Sequence, residues 1–380
     1  MKQAFAVSLY VAFLLLALRV HGATPGPAAR LANANNPIEQ ANTCLRHYRE
    51  TARAEFIDQA QAAITAALAT TPNDYVAQRT EVAILLARHA DSAALERSTA
   101  LNRRFPDDVD TYALMIDAEL ALGRYTQAEQ DTQRLLDLRP DNVPGLIRAA
   151  HLRELYGDWQ GAIDFINASL NRVTEDEAEQ RASLYTQLAR LHFGAGHGEI
   201  ARQALAAALT ALPDYHLGLE EGLRIARLSD AHDEALHNAQ RLYRVVPSEN
   251  HLFLLARATA EAGDTQHAAA MFSEFVTRAQ NIQAKDDTTT LALSAYYADE
   301  GRDPTRAVTL ATAVRAARAD APTVLALAWA LHRAGHDDAA LCELDTLANL
   351  GWRDADFLAA LGEIHAAITS QSVSEPATHS

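Results

Sequence analysis

The chain has 380 residues, with 49 Asp and Glu against 33 Lys and Arg, a formal net charge of −16, 15 histidines and 2 cysteines. That balance opposes nucleic acid and anionic membrane surfaces as partners, since both require a basic face. Nucleophile elbows, phosphate-cradling glycine loops, CxxC pairs and HExxH helices are all absent from the sequence, so no familiar catalytic or cofactor motif points to an enzyme.

The N-terminus places Lys2 before an apolar run from Ala4 to Leu18, followed by a short polar segment with Val20, His21 and Gly22. This is the layout of a secretory signal peptide over 1–22, cleaved after Gly22. The run is shorter than the roughly 20 residues that a bilayer-spanning helix needs. The product is therefore expected to be periplasmic or secreted, with no membrane insertion after cleavage. An inner-membrane anchor made by the uncleaved segment is the alternative. Residues 23–40 mix Pro, Gly, Ala and Asn without periodicity and read as a flexible linker.

From residue 41 to residue 353 a single unit recurs, clearest in Val109 to Asn142. Tyr112, Met115 and Ile116 mark one helical face and Gly123 breaks it. Tyr125, Ala128, Leu135 and Leu136 mark a second helix, which Pro140 stops. With Val109 as position 1, position 20 is the crossing of the two helices, where a small side chain allows close approach. That register returns alanine nine times: Ala60, Ala94, Ala128, Ala162, Ala201, Ala235, Ala268, Ala307 and Ala340. Position 15 should close the first helix in the left-handed region, and it is Gly123, Gly157, Gly196, Gly263 and Gly335, with Gly301 one place early. Pro72, Pro106, Pro140, Pro213 and Pro247 end second helices. The first two repeats depart from the pattern, with Glu55 and His89 where glycine is expected.

Two steps are lengthened, around 173–180 and around 280–290; the first reads as a longer second helix. Residues 354–368 supply one more amphipathic helix, which would cap the apolar end of the stack, and 369–380 read as a disordered tail.

The large residue, the small residues at the crossing, Gly at the turn, an aromatic two places on, Ala and then Pro resemble the tetratricopeptide repeat, in the manner of an exported bacterial member. The resemblance implies an all-α, right-handed α-solenoid of about nine helix-turn-helix repeats with a C-terminal capping helix. It also implies a scaffold that binds a peptide or partner protein in its concave groove. Position 9, expected to face that groove, includes Arg190, Arg224, Arg257, Tyr296 and Trp329 as a consecutive series. Guanidinium groups beside aromatics suit an acidic segment of a partner. No cofactor is expected. The alternatives are an enzyme with a shallow site on an α-superhelix, as in lytic transglycosylases, or a metal-binding envelope protein.

The metal alternative rests on His332 with His336, Asp337 and Asp338, and on His192 with His197; both groups straddle a turn instead of sharing a helical face. Cys44 and Cys342 stand at opposite ends of the expected stack and read as two separate thiols. Tyr125 and Trp159 read as core.

Overall fold

The computed structural model describes residues 36–282 and 287–374, with side chains to 369; the expected signal peptide over 1–22, most of the expected linker and the last residues of the expected tail lie outside them. Among the described residues there are nineteen helices and no strand. They pair as α1 (Pro37–Thr51) with α2 (Ala54–Thr70), α3 (Tyr75–Ala87) with α4 (Asp91–Arg104), α5 (Val109–Ala121) with α6 (Tyr125–Leu138), and α7 (Val143–Leu155) with α8 (Trp159–Leu170). Next come α9 (Ala178–Gly194) with α10 (Gly198–Ala211), α11 (His216–Leu228) with α12 (His232–Val245), and α13 (Glu249–Glu261) with α14 (Thr265–Ile282). Then follow α15 (Asp287–Asp299) with α16 (Pro304–Ala317), α17 (Ala321–Arg333) with α18 (Asp337–Ala348), and finally α19 (Ala355–Ser374).

The crossing alanines explain how each pair closes: all nine are buried, where a larger side chain would push the two helices apart. Position 15 adopts positive φ in eight of the nine repeats, whether or not it is glycine. Gly123, Gly157, Gly196, Gly263 and Gly335 do so, and so do His89, Asp230 and Arg302. The left-handed residue near Gly301 is therefore Arg302, and in the first repeat it is Ala52. Asp74, Asp108, Asn142, Ser248 and Asp320 each cap the following first helix by accepting a backbone N–H.

Three boundaries differ from the sequence reading. The first long step does not extend a second helix: α8 stops at Leu170, Val173 is buried in the turn, and Glu177 accepts from Thr174, so the extra residues lengthen first helix α9 instead. Helix α1 begins at Pro37, inside the stretch read as linker, because Asn36 caps it. Helix α19 runs to Ser374, past the expected end at 368.

The stack does not remain open. Its C-terminal repeats fold back onto helices laid down about two hundred residues earlier. The Arg353 N–H donates to the Leu155 carbonyl at 2.7 Å, and the Ala321 N–H donates to the Tyr125 hydroxyl at 2.8 Å. Tyr125 and Trp352 meet edge to face at 4.8 Å, within the favoured range for aromatic pairs. One apolar core unites α1–α6 with Leu325, Leu344, Trp352, Phe357 and Ile364. A second seam brings α1 onto α9 and α11: Arg49 pairs with Glu179 at 3.3 Å, and the Arg49 carbonyl lies 3.0 Å from His216 Nε2.

Both seams can be tested. A Cβ at Gly123 would lie 2.6 Å from the Ala319 carbonyl oxygen across the first seam, whereas one at Gly263 would meet nothing within 4 Å; both glycines have positive φ. Gly123→Ala and Gly263→Ala should share the left-handed cost of about 1–2 kcal/mol. Only Gly123→Ala should add overpacking of about 1–3 kcal/mol. Equal losses in denaturant melts would mean the superhelix is open. At the second seam, burial depresses the His216 pKa to about 4, with the Arg49 carbonyl opposing and His251 assisting. The unfolded imidazole, with its ordinary pKa near 6.5, takes the proton first. Stability from this group is thus full above about pH 6.5 and is lost towards pH 4, by an amount on the order of 3 kcal/mol. His216→Gln should flatten that part of the pH–stability profile, and an unchanged profile would place His216 outside the seam.

Candidate functional site

First helices of successive repeats lie side by side, so position 9 of one meets position 12 of another, and position 12 meets position 13. Arg190 on α9 makes two bonds to Glu154 on α7, at 2.6 and 2.7 Å. The α11 residue Arg227 does the same to Glu261 on α13, at 2.8 and 2.6 Å. Asp299 on α15 stands 3.7 Å from Arg257 and 3.1 Å from Arg333, and accepts from the Trp329 indole at 3.2 Å. Arg224 clasps Glu221 on its own helix at 2.8 Å, with Asp356 of α19 at 3.6 Å. Arg148 on α7 donates to Asp117 and to the Ala113 carbonyl on α5. The inner face is thus laced by a ladder of ion pairs. Burial alone would raise Glu154, but Arg190 and His151 outweigh it and hold the carboxyl at about 2.

The predicted series of partner-binding residues separates. Arg190 and Arg224 stand on one wall of a half-open cavity. Arg257 and Trp329 are buried on Asp299, and Tyr296 packs on Phe272 and Phe275, with ring centroids 5.5 and 6.1 Å away. All three arginines already hold carboxylates, so they do not form a row of free cations.

The cavity, about 170 Å³, lies where α17 and α19 close over α3, α5, α7 and α9. Tyr125, Trp159 and Trp352 give it aromatic walls, and Leu86, Leu155 and Leu325 give it aliphatic ones. Tyr125 and Trp159 therefore face the cavity and not only the core, which corrects their reading from sequence. They start second helices at the turn where the C-terminal segment docks, and that docking joins residues far apart in the chain. The only local sign was an aromatic, Trp352, at the very end of the last repeat. Asp91, Asp354 and Asp356 also open on the cavity. Burial raises Asp91 to about 6 and, with Asp356 adding, raises Asp354 to about 6. Burial likewise raises Asp356, against Arg224.

The histidine groups hold no ligand set. His332 bonds Asp337 at 2.6 Å, and the rings of His192 and His197 lie 5.9 Å apart. Among the described residues no group of three or more His, Cys, Asp or Glu is arranged to hold a metal ion. Cys44 is buried and Cys342 exposed, and both are free thiols. No described helix is long and apolar enough to cross a membrane.

No protein-family model matches the chain. No curated protein matches it either. Solved structures do. A chain of the APC/C hetero-tetramer Cut9-Hcn1 superposes with a TM-score of 0.53 at 17% identity over 80% of this chain, which spans 58% of that chain's length. The human IFIT1 dimer with PPP-AAAA superposes with a TM-score of 0.52 at 13% identity, covering 84% of this chain and 85% of that one. The chain is thus an all-α solenoid, and the solenoid is of the tetratricopeptide-repeat fold.

The ladder predicts an asymmetry. Arg190→Ala would leave Glu154 buried with His151 as its remaining partner and should cost about 3 kcal/mol. Arg202→Ala removes one member of an exposed pair with Glu199, which solvent screens, and should leave stability nearly unchanged. Similar losses of stability in urea melts would show that the inner-face pairs are no more than solvated contacts.

Proposed function

We propose that this chain is an exported binding scaffold of the cell envelope, which takes a peptide or a segment of a partner protein into the half-open cavity inside its superhelix. The observation that carries this reading is the cavity itself, closed by the chain's own C-terminal repeats and lined by Tyr125, Trp159 and Trp352. Aromatic and aliphatic walls with a few charged groups are what a binding site needs to hold and orient a ligand. Export rests on the signal-peptide layout of 1–22.

The architectural neighbours include a hetero-tetramer of proteins, Cut9-Hcn1, and a ligand-bearing dimer, IFIT1 with PPP-AAAA. The net charge of −16 favours the protein partner over a nucleic acid here. The paired inner-face carboxylates lie within ion pairs, as structural groups do, which favours a scaffold over an enzyme.

The test fills the cavity. Ala121 lines it beside Tyr125, and Ala121→Trp would occupy it. Mature protein is immobilised and used to recover polypeptides from envelope extract of the cells that make it, with Arg202→Ala as the surface control. A specific polypeptide retained by wild type and by the control should fall at least tenfold with Ala121→Trp. Equal recovery by the filled variant would place binding outside the cavity and overturn this reading. N-terminal sequencing of the envelope protein tests export, and retention of Met1 would refute cleavage.

A further inference from the structure

Charge inside the cavity is unbalanced. Asp91, Asp117, Glu154, Asp320, Asp354 and Asp356 open on it, against Arg190, Arg224 and Arg318. Glu154 is held by Arg190, Asp320 by Arg318 at 2.6 Å, and Asp117 by Arg148 from behind the wall. Arg224 is divided between Glu221 and Asp356. Among the described residues Asp91 and Asp354 form no ion pair, and the only positive charge that reaches Asp91 is that of Arg318, already bonded to Asp320.

Asp91 is the decisive group. It is the first residue of α4 and only 8% exposed, yet among the described residues its carboxylate accepts no hydrogen bond and joins no ion pair. The carboxylate opens on the cavity while the rest of the residue is buried, so whatever enters the cavity is what it can meet. Among the described residues the Asp354 carboxylate accepts from the Trp352 indole N–H and the Phe357 N–H alone. Asp117 Oδ1 also has no hydrogen-bond partner. The faces of Tyr125, Trp159 and Trp352 complete a wall that is electron-rich and apolar, which is what attracts an organic cation.

We propose that the cavity binds an organic cation, an ammonium or guanidinium head on an apolar stem, with Asp91 and Asp354 as counter-ions and Tyr125, Trp159 and Trp352 around the stem. Its source is a lysine or arginine side chain presented by the partner polypeptide. The inference rests on the reading of the cavity as the binding site, and it reverses the sign of partner that the arginine series suggested: those arginines are already neutralised, and the unmatched charge is negative. Asp91 is influenced by Arg318, Asp320 and Asp287, and Asp354 by Asp356 and Glu154. Because burial, with acidic neighbours adding and Arg318 opposing at Asp91, raises both groups to about 6, an arriving cation meets ionised carboxylates above that pH and protonated ones below it.

Calorimetric titration of the mature full chain tests this with defined probes: a blocked pentapeptide with arginine between glycines, the same peptide with citrulline, which keeps the shape without the charge, and free agmatine. The arginine peptide should bind at least tenfold more tightly than the citrulline peptide, and its affinity should fall as pH drops from 7.5 to 5. Asp91→Asn should weaken it at least fivefold while the melting temperature stays equal or rises, because a buried charge has been removed. Citrulline binding as well as arginine, or Asp91→Asn binding like wild type, would overturn the proposal. Agmatine binding as tightly as the peptide would overturn the partner side chain as source. If a natural partner is lost with Ala121→Trp but kept with Asp91→Asn, the cation inference fails while the scaffold reading stands.

Discussion

The cavity depends on a short seam, the docking of Ala321 and the Trp352–Arg353 segment onto the turns around Tyr125 and Leu155. An open repeat stack has interactions only between neighbours, so its stability is close to a sum of unit and interface terms. Here two backbone N–H donors reach the Tyr125 hydroxyl and the Leu155 carbonyl from about two hundred residues away, and an aromatic pair seals the contact. Closing so long a segment costs chain entropy that grows only slowly with length. A few buried contacts therefore suffice, provided the intervening repeats set the curvature correctly. With closure, the first and last repeats share a core, and the stack gains an interior.

Curvature was legible and closure was not. The nine crossing alanines are a local requirement that recurs, so a periodic register finds all of them. Left-handed position 15 was only partly visible, since glycine marks it five times while His89, Asp230 and Arg302 adopt positive φ without that signature. Asp and His visit this region more readily than most residues, but Arg302 does so because the helices on both sides fix it. The first long step was misassigned for a related reason. An acidic, helix-permissive run says that a helix is allowed, and only the burial of Val173 and the Thr174–Glu177 bonds say which helix receives it.

The site was legible as residues and illegible as partners. Arg190, Arg224 and Arg257 recur at repeat spacing, and a row facing the groove follows from that alone. Their carboxylates come from different places: Glu154 on an earlier first helix, Glu221 on the same helix, Asp299 on a later one. Such pairs lie outside any single-helix pattern. The same limit hid Tyr125 and Trp159, whose spacing is that of core residues and whose cavity-facing role exists only because the C-terminal segment arrives.

The two seams differ in chemistry, and that difference determines what conditions act on each. The seam at Tyr125 and Trp352 is made of neutral hydrogen bonds and aromatic contact, which salt does not screen. The seam at Arg49 combines an ion pair with Glu179, both side chains largely shielded, and an imidazole held neutral by burial. Acid therefore bears on α1 through His216, while the walls of the cavity respond through their own carboxylates. Between the seams the ion-pair ladder fixes the register of the first helices. Desolvation offsets much of what each pair gains, so the ladder's contribution lies more in excluding misaligned stackings than in net stability. A rigid wall of matched charges beside two unmatched carboxylates is then a preorganised site: the protein has already met the cost of assembling it, and a cation of the right shape gains the difference.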